Sequence, residues 1–242
     1  MTHAVELPEH FLPARIETAE QVTPQIKVFT LQADPQRFRS KPGQWLDLAI
    51  PQENGEPFVG GYSLVSAPRT DGRLQLAIKY ADHHQATHHL HTVARQGDIV
   101  YVTAGQGNFF FEPGMAKKVV LLGAGIGVTP LLGILRAIHA DMPDVYAHLV
   151  YSVAHQDEVL FPEELRTMAQ APNLDVSLTV TREAEDWLGH TGRISHDLLE
   201  SLDLPRDALF YFCGSREFIE DMATLLREWG IPEARLIYEK WW

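Results

Sequence analysis

Eight consecutive residues, Gly123-Ala124-Gly125-Ile126-Gly127-Val128-Thr129-Pro130, have the composition of a turn that receives an anion. Glycines let a backbone turn sharply and approach a ligand with no Cβ in the way. Thr129 is placed to cap a following helix, and Pro130 suits its first turn. Free N–H groups and the positive helix end would then point at a group such as a pyrophosphate. The spacing departs from G-x-G-x-x-G, since Gly127 falls one residue early. Ser152 and His155, not an acid, stand where the second strand would end and a ribose ligand is expected. The competing reading is a tight strand-to-helix turn that binds nothing.

Three other groups could do chemistry. Cys213 is the only cysteine, so an intramolecular disulfide and a multi-cysteine iron–sulfur or zinc site are excluded. His83, His84, His88, His89 and His91 cluster within nine residues. Asp82 is the only acidic neighbour that could complete a ligand set, so no metal is expected there, and a phosphate or surface role is favoured. Trp241 and Trp242 are large apolar surfaces that call for a flat partner, either a ring system, the protein's own surface or a second subunit.

The elements that position these residues change character near residue 112. Before it, alternation of period two recurs between turns. In Arg73 to Tyr80, the residues Leu74, Leu76 and Ile78 share one face. Trp45 to Ile50, Tyr62 to Ala67, Ile99 to Ala104 and Asn108 to Phe111 are expected as further strands, with a helix at Gln85 to Ala94. Such short strands predict an antiparallel β-barrel of six strands. After Pro113-Gly114, strands at Lys118 to Leu122, Tyr146 to Val153, Leu174 to Thr181, Ala208 to Cys213 and Leu236 to Glu239 alternate with helices. This predicts a β + α/β chain whose second part is a five-stranded parallel α/β nucleotide-binding domain. The expected domains are 1–112 and 113–242. Their charges differ: 9 basic against 12 acidic residues in the first, 11 against 20 in the second.

Composition narrows the function further. The chain of 242 residues is 45% apolar and 21% charged, with net charge −12. The balance argues against a general nucleic-acid binder. No apolar run of about 18 residues is present to span a bilayer. Met1 to Arg15 mixes Glu, His and Pro among its apolar residues, unlike a signal peptide. With one cysteine, a reducing, cytoplasmic location without membrane association is the expectation.

Four segments in order resemble the ferredoxin–NADP reductase superfamily. Gly123 to Pro130 resembles its nicotinamide-dinucleotide loop. Gly61-Tyr62-Ser63-Leu64 resembles its Arg-x-Tyr-Ser flavin motif, Phe212-Cys213-Gly214-Ser215 its Cys-Gly-Pro motif, and Tyr238-Glu239-Lys240-Trp241-Trp242 the aromatic-ended tails of bacterial ferredoxin/flavodoxin–NADP reductases. Within the superfamily the chain looks closest to the branch of oxidoreductase NAD-binding domain-containing proteins.

The resemblance implies an FAD-binding barrel and an NAD(P)H-binding α/β domain. Hydride would pass from nicotinamide to flavin N5, and electrons would leave for an external acceptor, a small molecule or a redox protein. Tyr62 would pack on the isoalloxazine and Ser63 would offer its hydroxyl to N5. Leu64, Ile78, Lys79 and Tyr80 would line the flavin or its phosphates, and Thr87 would meet the pyrophosphate at the helix start. Gly105-Gln106-Gly107-Asn108-Phe109 resembles the family's Gly-Pro-x-Gly-x-Phe loop, with Gln106 replacing proline. Cys213 and Gly214 would sit beside the nicotinamide, Glu239 would assist proton transfer or orient the ring, and Trp241 or Trp242 would cover the flavin. Gly123, Gly125, Gly127, Thr129 and Pro130 would hold the coenzyme.

The sequence also departs from the family. Gly60 stands where the Arg of Arg-x-Tyr-Ser belongs, which removes a charge-assisted bond to a flavin phosphate worth roughly 1.5–3 kcal/mol. Lys79 and the histidine cluster are the candidate replacements. Coenzyme choice stays open: Thr181, Arg182 and Arg193 would suit a 2′-phosphate, whereas Glu183, Glu185 and Asp186 oppose one. Two functions follow, an FAD-dependent NAD(P)H oxidoreductase and a non-catalytic nucleotide-binding module with weakened flavin binding.

Overall fold

The computed structural model describes residues 7–52, 55–182 and 187–240. The chain divides into two compact units, Met1–Phe110 and Phe111–Trp242.

The first unit contains β1 (Leu12–Thr23), β2 (Ile26–Ala33), β3 (Trp45–Ile50), β4 (Phe58–Ser63), β5 (Arg73–Lys79), helix α1 (Gln85–Thr92) and β6 (Ile99–Val102). All pairs are antiparallel, in the order β4-β3-β6-β1-β2-β5. A bridge between Leu64 and Leu76 joins the chain just past β4 to β5. The Val65 N–H donates to the Gln75 carbonyl at 2.9 Å beside it. The two edges of the sheet are thereby joined into the six-stranded antiparallel barrel that the alternation predicts, and closure removes exposed edges. Leu74, Leu76 and Ile78 enter its core with Ile16, Phe29 and Leu48.

Four elements differ from the sequence expectation, one of them β4, which runs over Phe58–Ser63 rather than Tyr62 to Ala67. β1 and β2 are not delimited by pattern, because Leu12, Ala14 and Ile16 alternate clearly but the following Glu17 to Gln21 dilutes the signal with polar residues. Asn108 to Phe111 carries no strand. Phe109 and Phe111 are buried around a half-buried Phe110, which mimics alternation, but Gly107 at φ +86° turns the backbone just before them.

The second unit contains β7 (Lys118–Ala124), α2 (Val128–Asp141), β8 (Tyr146–Val153), α3 (Pro162–Met168), β9 (Leu174–Val180), β10 (His190–Thr191), α4 (His196–Ser201), β11 (Leu209–Cys213), α5 (Arg216–Glu228) and β12 (Leu236–Ile237). The sheet is parallel with the order β10-β9-β8-β7-β11-β12. It has six strands rather than the expected five, because the two-residue β10 adds to the edge of β9. Val119 to Leu122 are fully buried, as a central strand covered on both faces requires. The chain steps outward from β7 to β10 and returns to β11 on the other side of β7. Strand order therefore reverses between β7 and β11, where doubly wound sheets open a crevice at their carboxyl ends.

Candidate functional site

The glycines at the end of β7 have three different reasons to be glycine. A Cβ on Gly123 would lie 3.0 Å from Leu131 Cδ1 and 3.2 Å from Val128 Cα, so this glycine lets α2 pack on β7. A Cβ on Gly127 would lie 2.5 Å from both the Cys213 carbonyl oxygen and Gly214 Cα, so this one seats the turn on the end of β11. Gly125 alone has φ +52° with nothing within 4 Å of a Cβ. Its bare backbone borders a cavity of ≈ 390 Å³ that also touches Ser152, Thr181, Arg182 and Ser215.

Thr129 does not cap α2, contrary to expectation. Its hydroxyl donates to the Ile126 carbonyl at 3.0 Å within the single 3₁₀ turn Gly125–Gly127. The N-cap position is Gly127, and no side chain caps the helix. Pro130 is buried in the first helical turn, where its missing N–H costs no internal bond. Main-chain donors at the start of α2 thus have no side-chain acceptor, and a helix N-terminus in that condition suits an anionic ligand.

Other second-unit residues gather at the same carboxyl edge. Cys213 is buried at the end of β11. Gly214 is held by the ring of Phe218, whose Cδ1 would lie 2.5 Å from a Cβ there. Thr181 and Arg182 follow β9 and are exposed. Arg193 Nη1 lies 3.1 Å from Glu217 Oε1 and 3.8 Å from Asp221 Oδ2. Glu217 and Asp221 line the cavity, and sequence reasoning missed both. Their signal was the i, i+4 spacing of two acids directly after the Cys213-Gly214-Ser215 turn. Glu239 is half-buried beyond β12, next to Tyr238, whose ring stacks on Phe212 with centroids 4.7 Å apart. Trp241 and Trp242 lie outside the described residues.

In the first unit, Tyr62 and Ser63 end β4, and both are half-buried. The Tyr62 phenol oxygen is 2.9 Å from Thr87 Oγ1, which in turn is 3.2 Å from His84 Nδ1. His84 is the N-cap of α1 and accepts from the Thr87 N–H at 3.4 Å. Burial raises the Tyr62 pKa, with the Thr87 bond partly offsetting it. A Cβ on Gly60 would lie 2.6 Å from the Tyr62 phenol oxygen. The tyrosine therefore fills the space that the family's arginine would leave from position 60.

The histidine cluster splits by environment. His91 Nε2 donates to the Ile78 carbonyl at 2.9 Å, and His89 lies edge-on to Phe58. Burial lowers both their pKa values, so neither supplies a cation at neutral pH. The Ile78 side chain and Leu64 are buried in the barrel core. Lys79 and Tyr80 are exposed, with the Tyr80 hydroxyl 3.4 Å from His88 Nδ1. Gln106, in place of the family's proline, donates to Thr103 Oγ1 at 2.7 Å and to Asp47 Oδ2 at 3.1 Å.

Comparison with known proteins fits this geometry. Residues 13–111 match the oxidoreductase FAD-binding domain and residues 121–224 the oxidoreductase NAD-binding domain. A protein of Danio rerio named oxidoreductase NAD-binding domain-containing protein 1 is 32% identical over 239 residues, which cover 90% of this chain and 87% of that protein. The chain belongs to that family. The Homo sapiens member is 30% identical over 254 residues, covering 95% of this chain and 79% of its own length. Among solved structures, a ferredoxin NADP+ reductase from Neisseria gonorrhoeae with bound FAD and NADP superposes with a TM-score of 0.80 at 23% identity, covering 96% and 99% of the two chains. The flavohem-like FAD/NAD-binding domain of a Vibrio cholerae nitric oxide dioxygenase gives 0.82 at 23% identity, covering 94% and 97%. This chain carries an FAD-binding and an NAD-binding oxidoreductase domain, with the ferredoxin–NADP reductase fold. Among the described residues, no helix is long and apolar enough to cross a membrane.

Proposed function

We propose that this chain is an NAD(P)H-dependent flavin oxidoreductase that delivers electrons to an external acceptor, a small molecule or a redox protein. The observation that carries the proposal is Gly125: a left-handed, uncovered turn at the switch point of a parallel sheet, feeding a helix without a side-chain cap. When bound, the two cofactors supply the hydride and electron chemistry. The protein's part is to bind, orient and exclude.

On this reading residues 113–242 hold the coenzyme. Gly125 and the first N–H groups of α2 face its pyrophosphate, with Gly123, Gly127, Thr129 and Pro130 shaping the turn. Thr181 and Arg182 stand at the adenosine side, and Cys213 and Gly214 at the nicotinamide side. Glu239 orients the ring or handles a proton there. Residues 1–112 hold FAD. Tyr62 offers a ring face, Ser63 a hydroxyl, Thr87 and the α1 N–H groups a phosphate contact, and the main chain at Leu64 and Ile78, with Lys79 and Tyr80, the surrounding wall. A cytoplasmic location accords with the single cysteine.

Gly60 supports a second reading, a nucleotide-binding module that holds flavin weakly and turns nothing over. Purified protein separates the two. An oxidised-flavin spectrum that bleaches under anaerobic NADH or NADPH supports the enzyme. Protein that takes up no FAD on incubation supports the module.

A further inference from the structure

We infer that the coenzyme cavity of the second unit selects NADH over NADPH, and that Glu217 and Asp221 of α5 determine that choice by the negative charge they keep beside Arg193. The inference rests on the reading of this cavity as a dinucleotide site.

A nicotinamide dinucleotide whose pyrophosphate meets Gly125 extends its adenosine along the carboxyl edge of the sheet, past Ser152 toward Thr181 and Arg182. NADPH differs from NADH only by a phosphate on that ribose, which adds close to two negative charges near neutral pH. Among the described residues, the cavity wall carries two arginines, Arg182 and Arg193, against three carboxylates, Glu158, Glu217 and Asp221. The wall is therefore acidic before any ligand arrives.

Arg193 is the decisive side chain. Its guanidinium already lies against Glu217 at 3.1 Å and within 3.8 Å of Asp221. All three side chains are more than half exposed, so the ion pairs exchange readily and are no lock. The discrimination comes from what stays behind. Any phosphate taken by Arg193 would sit beside two carboxylates one helical turn apart, well inside a Debye length of about 8 Å. A ribose hydroxyl, by contrast, donates to a carboxylate, whereas a phosphate monoester at neutral pH offers only acceptors. The same two acids thus favour the 2′-hydroxyl and repel the 2′-phosphate.

Calorimetric titration of the full chain with NAD+ and NADP+ reads this without turnover. The expected preference for NAD+ is on the order of tenfold, narrowing as salt screens the carboxylates. In the double variant Glu217→Gln/Asp221→Asn, NADP+ should tighten about tenfold while NAD+ moves by less than about threefold. Arg193→Gln, a milder surface change, should weaken NADP+ further and leave NAD+ nearly unchanged. Equal or tighter NADP+ binding by the natural chain, or an unchanged ratio in the double variant, overturns the selectivity alone. Binding of neither nucleotide overturns the dinucleotide reading beneath it, a result distinct from binding without discrimination.

Discussion

The phenol oxygen of Tyr62 sits 2.9 Å from Thr87 Oγ1, tying the end of β4 to the first turn of α1. This bond joins two segments whose roles in the sequence were separate, the aromatic of a flavin motif and the hydroxyl of a phosphate-binding helix. Tyr62→Phe keeps the ring and removes the bond. The expected loss of stability is about 0.5–1.5 kcal/mol in urea unfolding, since Thr87 retains His84 as a partner. No change in unfolding would mean that the phenol prefers water to Thr87.

Gly60→Ala tests why the family's arginine is missing. The new Cβ would meet the Tyr62 phenol oxygen at 2.6 Å, so the ring must swing and release Thr87. The cost should be of the same size as Tyr62→Phe, about 1 kcal/mol. The two changes together should then cost less than their sum, because the Thr87 bond is lost only once, although the ring carbons, 2.8 and 2.9 Å from the new Cβ, must move in either background. Full additivity in the double variant would refute the shared contact. The same geometry predicts that Gly60→Arg supplies a phosphate clamp only if the Tyr62 ring also turns aside from its present place.

Ser63→Ala tests the proposal that the Ser63 hydroxyl, at the end of β4, serves flavin N5. Flavin reduction in stopped flow should slow by about 10²-fold while FAD affinity falls less than about threefold. Equal reduction rates would remove Ser63 from the chemistry.

The site was legible in sequence where composition dictates backbone. Gly123 to Pro130 announced a strand-to-helix turn because few other residues tolerate such a path, and four motifs in order identified the family. What the sequence hid was the division of labour. Nothing in the spacing tells Gly127, which a neighbouring strand crowds, from Gly125, which opens to a cavity. Thr129 had the composition of a cap but lies two residues into the helix, so its hydroxyl turns back to Ile126. The missing arginine was visible, yet only the fold shows Tyr62 lying across its place. Likewise β1 and β2 were obscured because half of β1 faces solvent in a polar run, and β10 is too short for any pattern.

His148 gives the second unit a pH dependence. It is buried on β8, with Nε2 2.8 Å from Ser177 Oγ and Nδ1 3.3 Å from the Tyr146 hydroxyl, which itself donates to Asp175. Burial lowers its pKa, and Asp175 only partly opposes the shift. A histidine kept neutral when folded binds its proton more readily when unfolded, where its pKa is about 6.5. Its contribution is therefore complete above that value and is lost as pH falls toward the lower folded pKa. His89 and His91 act in the same direction in the first unit. Unfolding free energy should drop between pH 7.5 and about 5.5. His148→Gln should flatten part of that slope, and an unchanged slope would show that His148 titrates normally.

Gly125→Ala and Gly127→Ala separate binding from folding at one turn. Alanine at 125 must adopt φ +52°, a left-handed conformation that costs roughly 1–2 kcal/mol, but its Cβ meets nothing within 4 Å. Its main effect should be on the ligand, because the methyl group stands where the coenzyme must approach bare backbone. We expect NAD+ affinity to fall by about tenfold or more, with only that modest loss of stability. Alanine at 127 has an ordinary φ of −62° yet places its Cβ 2.5 Å from the main chain of Cys213 and Gly214. Backbone cannot step aside as a side-chain tip can, so the 3₁₀ turn must lift off β11. The cost should be about 1–3 kcal/mol or more, read as a lower midpoint in urea. The two variants thus exchange their ranks between the two measurements. If Gly125→Ala binds NAD+ as the natural chain does, the open turn is a folding device and the coenzyme lies elsewhere.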